Sequence, residues 1–436
     1  MSARRWLSPL VSYRVLGDRA VLVDHASGAL HVLNAEGGEV LERLDAGADA
    51  FSEDEEELIA ELAGIGVVER QDDGGPPDAS DRSDSSSDSE GEEDLLDELN
   101  RWAADRLIPL HCQLELTYRC ALRCRHCYLG HAGNDPREEL TTDEIVGALD
   151  ALEELGCLFL LLTGGEAFLR KDFEEIFSAA RDRRFAVSFI TSGWRHDPAL
   201  LARLARRGVD TAQVSLYGPD PAVHDAMTGV DGSFADALAC MRTLRDLGVR
   251  VRAAVTPTRL SVDGIEKMRD LLDRERIPAA LGLYMSPRRD GDSSPRAFTV
   301  DEAGLPRVLE AFPTEATPRM SGLGPSDRPC GAGADALSID PFGVVHPCLQ
   351  LRTKAGSIRE RPLCDIWTGS EILRDLRSVT VADLVDCPTC SLRAHCNRCA
   401  GFAHQEGLPI TGHCSFDCLQ AGVAKKTKSS TIGTTR

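Results

Sequence analysis

No apolar run in this 436-residue chain approaches the length of a membrane span, so no membrane partner is expected. The opening residues, MSARRWLSPLVSYRVLG, lack an apolar stretch and a small-residue cleavage site, and no secretion signal is read there. Positive charge is scarce over residues 1–100, which hold 26 acidic and 7 basic side chains, a net −19 of the chain's −21. A phosphate-binding surface needs the opposite sign, which argues against nucleic acid and leaves a basic peptide as the better match. The cysteine count, 15, is odd, which suits a disulfide framework poorly. Without an export signal it points to a reducing, cytoplasmic setting in which thiols serve metals or catalysis. Bulky apolar groups are nearly missing before Leu95 in residues 71–100, where twelve acids accompany one arginine. Such a segment cannot bury enough surface to order itself, so residues 71–104 are expected to be an acidic disordered linker.

The rest of the composition is that of a globular protein, 42% hydrophobic, and the length implies two or three domains. In residues 1–70 the strand-like runs VSYRVL, RAVLVDH and ALHVLN are separated by Gly17-Asp18-type turns. Asn34 caps a first helix and EDEEELIAELAGIG has the spacing of a second, a small winged-helix-like α+β domain. Over residues 105–300, HCQLEL, CLFLLLT, FAVSFIT, TAQVSL, RVRAAVT and ALGLYM alternate with amphipathic helices such as TTDEIVGALDALEELG. Six βα units imply an α/β fold, a partial (β/α)6 barrel with function at its C-terminal strand ends. Residues 301–420 are cysteine-rich, and residues 421–436 are expected to be a disordered tail.

The stretch TYRCALRCRHCYLG, just after the first barrel strand, puts Cys120, Cys124 and Cys127 in one loop. A haem attachment site would need C-x-x-C-H, and Tyr128 follows Cys127. Structural zinc needs four ligands, and His126, adjacent to Cys127, is poorly placed to be the fourth; zinc stays as the alternative. Three thiolates suit a cubane with one iron left open. The spacing resembles the C-x-x-x-C-x-aromatic-C loop of the radical SAM superfamily, with His126 in the ring position that lies near the adenine. One unit later, LLLTGGEAFLRKDF resembles that superfamily's Gly-Gly-Glu motif at Gly164, Gly165 and Glu166. The glycines would admit backbone to a charged ligand, and Glu166 would accept from the methionine ammonium. Ser192 in ITSG and Ser215 in VSLYG fall where later strand ends contact the ribose in the superfamily. The resemblance implies a [4Fe–4S] cluster whose open iron chelates S-adenosylmethionine, and a 5′-deoxyadenosyl radical that takes hydrogen from substrate. It also implies a reductant such as flavodoxin or ferredoxin.

The later cysteines resemble the SPASM extension of radical SAM peptide-modifying enzymes, which binds two auxiliary [4Fe–4S] clusters. Cys330, Gly343 and Cys348 are spaced C-x12-G-x4-C, followed by CPTCSLRAHCNRC and CSFDC. By position, Cys330, Cys348 and Cys399 would serve the first cluster, and Cys387, Cys390, Cys396 and Cys418 the second. Cys418 suits the last-ligand distance better than Cys414. The usual second block ends C-x-x-x-C, whereas Cys396 and Cys399 are spaced C-x-x-C. A zinc ribbon would need a wider gap between its Cys-x-x-Cys pairs. Cys112, Cys157, Cys240 and Cys364 read as core residues. The first auxiliary cluster therefore has three evident ligands, and Cys364, Cys414 or an open iron completes it.

With that context, DHASGALHVLNAEGGEVLERLDAG and the acidic helix after it resemble the recognition element of enzymes that modify ribosomally synthesised peptides, a relative of the pyrroloquinoline quinone peptide chaperone. Such domains capture a leader peptide as an added strand. The chain reads as a peptide maturase forming a thioether or carbon–carbon crosslink, with the linker letting the core peptide reach the barrel. A sulfatase-type side-chain oxidase and a non-catalytic metal-binding protein are the other classes. No general base is evident.

Overall fold

The computed structural model describes residues 5–70, 89–130, 135, 137–313 and 318–432. In the N-terminal domain, strands β1 (Arg5–Leu7), β2 (Val11–Leu16), β3 (Arg19–Asp24) and β4 (Leu30–Asn34) precede α1 (Ala35–Asp45), α2 (Glu53–Gly64) and β5 (Val68–Arg70). Asn34 accepts from the Gly37 N–H at 2.9 Å, and Ser52 and Glu55 form a reciprocal capping box on α2, so local chemistry sets both helix starts. β2, β3 and β4 form an antiparallel sheet in that order, and β1 pairs β5.

The helix α3 (Ser89–Arg106) then leads into the barrel. The linker expected over 71–104 thus gives way to helix from residue 89, and residues 71–88 lie outside the described ones. Leu99, Trp102 and Ala103 explain the difference: they are buried in a cluster with Val21, Val23, Leu110, Leu158 and Ala186. Apolar groups spaced on one face of an acidic helix are enough to order it once a partner surface exists.

The barrel comprises β6 (His111–Thr117), α4 (Thr142–Glu154), β7 (Phe159–Gly164), α5 (Phe173–Asp182), β8 (Ala186–Thr191), α6 (Pro198–Arg207), β9 (Ala212–Leu216), α7 (Pro221–Thr228), α8 (Ser233–Asp246), β10 (Val251–Val255), α9 (Ile265–Glu275) and β11 (Ala279–Leu281). Strands β6 to β11 are parallel and consecutive in the sheet. Alternate residues such as Leu114, Leu116, Leu160, Leu162, Val187 and Phe189 face the helices in one large core. Their neighbours Glu115, Thr163, Ser188 and Ser215 therefore face the lumen.

After α10 (Leu305–Ala311), strands β12 (Ala336–Ile339), β13 (Val344–His346) and β14 (Gly356–Ser357) continue the same sheet. β12 pairs β6 in parallel, with Ser338 opposite Gln113, so the cysteine-rich region is built onto the barrel's first strand rather than following it as a separate body. Helices α11 (Leu363–Gly369), α12 (Glu371–Ser378), α13 (Ala400–Gln405) and α14 (Ser415–Ile432) complete the chain. α14 runs into the expected tail 421–436 because Ala421 and Val423 are buried. Among the described residues no helix is long and apolar enough to cross a membrane.

The N-terminal domain docks on the floor of the barrel, at the starts of β6, β7 and β8. The buried Arg14 guanidinium donates to the Cys157 and Arg183 carbonyls at 2.9 and 3.0 Å and pairs with Glu153. Arg181 reaches the opposite way, to the Pro9 and Val11 carbonyls at 2.8 and 3.2 Å and to Ser12. His25 lies 3.2 Å from Asp210, which also pairs with Arg250. Burial holds His25 down to about 4, so it is neutral near pH 7 and needs no counter-charge.

Candidate cluster and cofactor site

The cysteine loop leaves the C-terminal end of β6. Its first turn is fixed by Glu139, which accepts from Thr117 Oγ1 and the Tyr118 N–H at 2.5 and 3.2 Å. Its far side is pinned to α7 by Arg123 N–H to Thr228 O, 2.8 Å, and Arg125 N–H to Met227 O, 2.9 Å. Cys120 is exposed, and Cys124 and Cys127 are partly buried. Burial, followed by neighbouring thiolates, raises the Cys124 thiol, and Cys120 and Cys127 are the neighbours responsible. Burial likewise pushes Cys120 up to about 11, with Glu166 and Cys127 adding to it. Three thiols that share one space and repel as thiolates fit a cationic iron–sulfur core, which would neutralise them. All fifteen cysteines are free thiols. Among the described residues no three His, Cys, Asp or Glu side chains converge on a single-ion site. A [4Fe–4S] cluster takes one thiolate per iron, so its ligands stand further apart.

The tips of the next strands meet this loop. Gly164 has φ +135°, and a Cβ there would sit 2.2 Å from Thr117 O; at Gly165 it would sit 2.4 Å from Arg119 O. At this C-terminal end of β7 the missing side chains let the strand close against the start of the cysteine loop. Gly165 N–H donates to Thr117 O at 2.7 Å and Glu166 N–H to Arg119 O at 2.9 Å. Glu166 is buried and accepts from Ser192 N–H at 2.8 Å, Ser192 Oγ at 2.5 Å and Thr191 Oγ1 at 2.9 Å. Burial raises its carboxyl, against the pull of those donors. Ser192 therefore serves Glu166, and Ser215 hydrogen-bonds Tyr217, rather than either standing free.

Tyr217, which sequence reasoning missed, is the residue that ties the strand tips to the loop. Its hydroxyl is raised by burial and by Cys124, Cys127 and Cys120, and its ring meets His126 edge-on at 4.4 Å. His126 Nδ1 is buried without a partner, and burial holds the ring down to about 4 and neutral. A neutral imidazole with an unmet polar atom beside three thiols and a glycine-lined strand end fits an adenosyl cofactor lying over a cluster.

The later cysteines separate into two groups. Cys348 is pushed up to about 12 by burial and then by Cys330 and Cys399, so these three share one space. Cys418 is raised by burial and then by Cys387 and Cys390, and Cys396 responds to Cys418 and Cys387. The second set lines a small cavity with Arg398 and Asp417. Cys414 borders that cavity but donates to Glu406 at 3.3 Å, and Cys364 stands apart on α11, 4.0 Å from Glu154. Asp417, another missed residue, bridges the groups: it accepts from Cys399 N–H at 2.8 Å, and burial lifts its carboxyl to about 6. No cysteine spacing flags it. Cys418→Ala is accordingly expected to remove about four irons per reconstituted chain, whereas Cys364→Ala removes none. Iron and sulfide analysis checks both; iron loss in the Cys364 variant would contradict the grouping.

A buried link joins the first and second centres. Glu115, fully buried on β6, accepts from Tyr128 at 2.6 Å and Tyr118 at 3.1 Å and pairs with Arg352 at 2.8 Å. Tyr128 follows Cys127, and Arg352 lies four residues after Cys348. The signal available was Glu115's lumen-facing place between Leu114 and Leu116.

Comparison with known proteins agrees with this geometry. Residues 114–273 match the Radical SAM superfamily model and residues 330–400 the SPASM iron–sulfur cluster-binding domain. Mycofactocin maturase MftC of Mycolicibacterium smegmatis is 30% identical over 325 residues, covering 70% of this chain and 81% of that protein. The AdoMet-dependent heme synthase of Methanosarcina barkeri is 27% identical over 320 residues, 66% of this chain and 90% of that one. Streptococcus suis SuiB, solved bound to its precursor peptide SuiA, superposes with a TM-score of 0.62 at 16% identity over 95% of this chain and 99% of that one, a likeness of fold. The two domains imply a SAM-binding [4Fe–4S] cluster plus auxiliary clusters. The chain belongs to the radical SAM superfamily, in the branch that carries a SPASM domain.

Proposed function

We propose that this protein modifies a ribosomally made precursor peptide, holding the leader on the N-terminal domain and forming a thioether or carbon–carbon crosslink in the core. The observation that carries the reading is a spare sheet edge fused to a cluster-bearing barrel. Among the described residues no strand pairs with the outer side of β4. Counted from the Asp24 N–H to Ala29 O bond, ladder alternation turns the Leu30 and Val32 N–H groups outward, where an added strand would find them. Relatives named mycofactocin maturase and PqqA peptide cyclase support a peptide substrate. A heme-forming activity, as the heme synthases' name states for them, would give that edge no task.

When bound, the cluster and S-adenosylmethionine supply hydrogen-atom abstraction, with electrons from a flavodoxin or ferredoxin in the cytoplasm. Cys120, Cys124 and Cys127 would hold the first cluster. Gly165 and Glu166 brace the loop, and His126 and Tyr217 wall the adenosyl side. Cys330, Cys348 and Cys399 would hold the first auxiliary cluster, and Cys387, Cys390, Cys396 and Cys418 the second. Because the N-terminal domain sits on the barrel floor, the linker does not carry it about. The leader and core must instead be separated by at least the length of β6, about seven extended residues.

Val32→Pro is the direct test. It removes one outward N–H while sparing the β3 ladder, as edge strands tolerate. Binding of the labelled precursor leader, followed by anisotropy, is expected to weaken by about tenfold or more, with iron content unchanged. Unaltered leader affinity would remove the β4 edge as the docking strand.

A further inference from the structure

Between the cysteine loop and the SPASM region lies a cavity of about 380 Å³ whose wall is strongly basic. Arg137, Arg288, Arg289 and Arg352 line it together with His346 and His404, and Asp340 is the one carboxylate among the described wall residues. These side chains come from four separate stretches of chain, so no single basic run explains their meeting. The wall is also built. Arg289 N–H donates to Tyr128 O at 3.0 Å, Ser286 bonds Gln350 at 3.1 Å, and Gln405 donates to Gln350 O at 2.8 Å.

Each guanidinium is anchored from outside the cavity. Arg352 pairs with Glu115 at 2.8 Å, Arg137 with Asp135 at 2.7 Å and Arg288 with Asp292 at 3.2 Å, while Arg289 shares Asp135 at 3.8 Å. Those anchors hold the arginines in place, and Asp340, the carboxylate among the described wall residues, lies 3.8 Å from His346. Two donors of wall residues, Arg352 NH1 and Arg288 Nε, are buried with no hydrogen-bond partner among the described residues. Buried donors without acceptors are costly, and an anionic acceptor would satisfy them with charge-assisted bonds.

We propose that this cavity is a carboxylate-binding subsite that anchors an acidic group of the peptide substrate between the first cluster loop and the loop after Cys348. Tyr128, next to Cys127, and Gln350, next but one to Cys348, both line it, so a peptide anchored here lies beside both centres. The carboxylate belongs to an Asp or Glu side chain or to the peptide's C-terminus. The inference rests on the peptide-modifying reading and deepens it by naming what the core peptide must carry.

The test uses the full-length reconstituted protein with saturating S-adenosylmethionine and three labelled probes without any leader. These are Ac-Gly-Ala-Glu-Ala-Gly-NH2, the same peptide with Gln for Glu, and the Gln peptide with a free C-terminal carboxylate. At least one carboxylate probe is expected to bind about tenfold or more tighter than the blocked Gln probe. A preference for the first assigns the side chain and for the third the C-terminus. Arg289→Gln should erase the preference at unchanged iron content, and Arg289→Lys should restore part of it. Equal binding of all three probes to the unmodified protein would overturn the proposal. So would an Arg289→Gln variant that loses S-adenosylmethionine affinity yet keeps the probe preference. Because the probes lack a leader, failure here leaves the β4 docking result untouched, and the two readings fail separately.

Discussion

Cys124→Ala is expected to lower iron from about twelve to about eight per reconstituted chain and to reduce S-adenosylmethionine cleavage to the level without protein. Cys124 is the thiol of the first loop raised by both of the others, Cys127 and Cys120, so its loss opens the shared space from the middle. The two later groups should keep their iron, because each is a separate set of thiols: Cys348 responds to Cys330 and Cys399, and Cys418 to Cys387 and Cys390. Cys240→Ala is the control. It is fully buried among Ala237, Met241 and Val214 and should cost stability without touching iron. Iron analysis with quantification of 5′-deoxyadenosine checks both variants. Cleavage by the Cys124 variant at the unmodified rate would mean that another centre binds the cofactor.

Arg181→Ala should have the largest effect on the scaffold. Its guanidinium is buried, held down to about 9 by burial, and donates to Pro9 and Val11 carbonyls across the domain boundary and to Arg207 O at 3.1 Å. Removing it takes away the Pro9 carbonyl's donor and leaves Val11 O with Arg184 at 3.4 Å, a loss of about 2–4 kcal/mol. The first step of denaturant unfolding should move down, and limited proteolysis should release the N-terminal domain early. Coupling to the peptide reaction follows, since a loosened domain no longer presents β4 at a fixed distance from the barrel. An unshifted unfolding midpoint would show that Arg14, His25 and the apolar contacts of Val21 and Val23 hold the domain without it.

Much of this was legible before the fold was known, and the reasons are local. The Asn34 cap acts within three residues, and the strands from VSYRVL to RVRAAVT announce themselves by alternation or apolar runs. The cysteine loop is a local pattern too. β12 escaped notice because it is four residues long and acquires its identity by pairing with β6, more than 200 residues earlier. α3 was hidden by its acids, since Leu99 and Trp102 gain a partner only when the N-terminal sheet meets the barrel floor. Glu166 was legible from its motif, but its partners Thr191 and Ser192 were not, since they come from the next strand. The basic cavity was the least legible of all, its arginines lying between positions 137 and 352 with no spacing to connect them.

The peptide-modifying account is tested most directly by mass spectrometry of a small precursor encoded beside this gene, co-expressed with the protein and with its Cys124→Ala variant. The account expects the peptide to lose two hydrogens with the unmodified protein and none with the variant, fragmentation locating the new bond in the core rather than the leader. A peptide of unchanged mass and unchanged stereochemistry, recovered with a protein that carries full iron and cleaves S-adenosylmethionine, would contradict it.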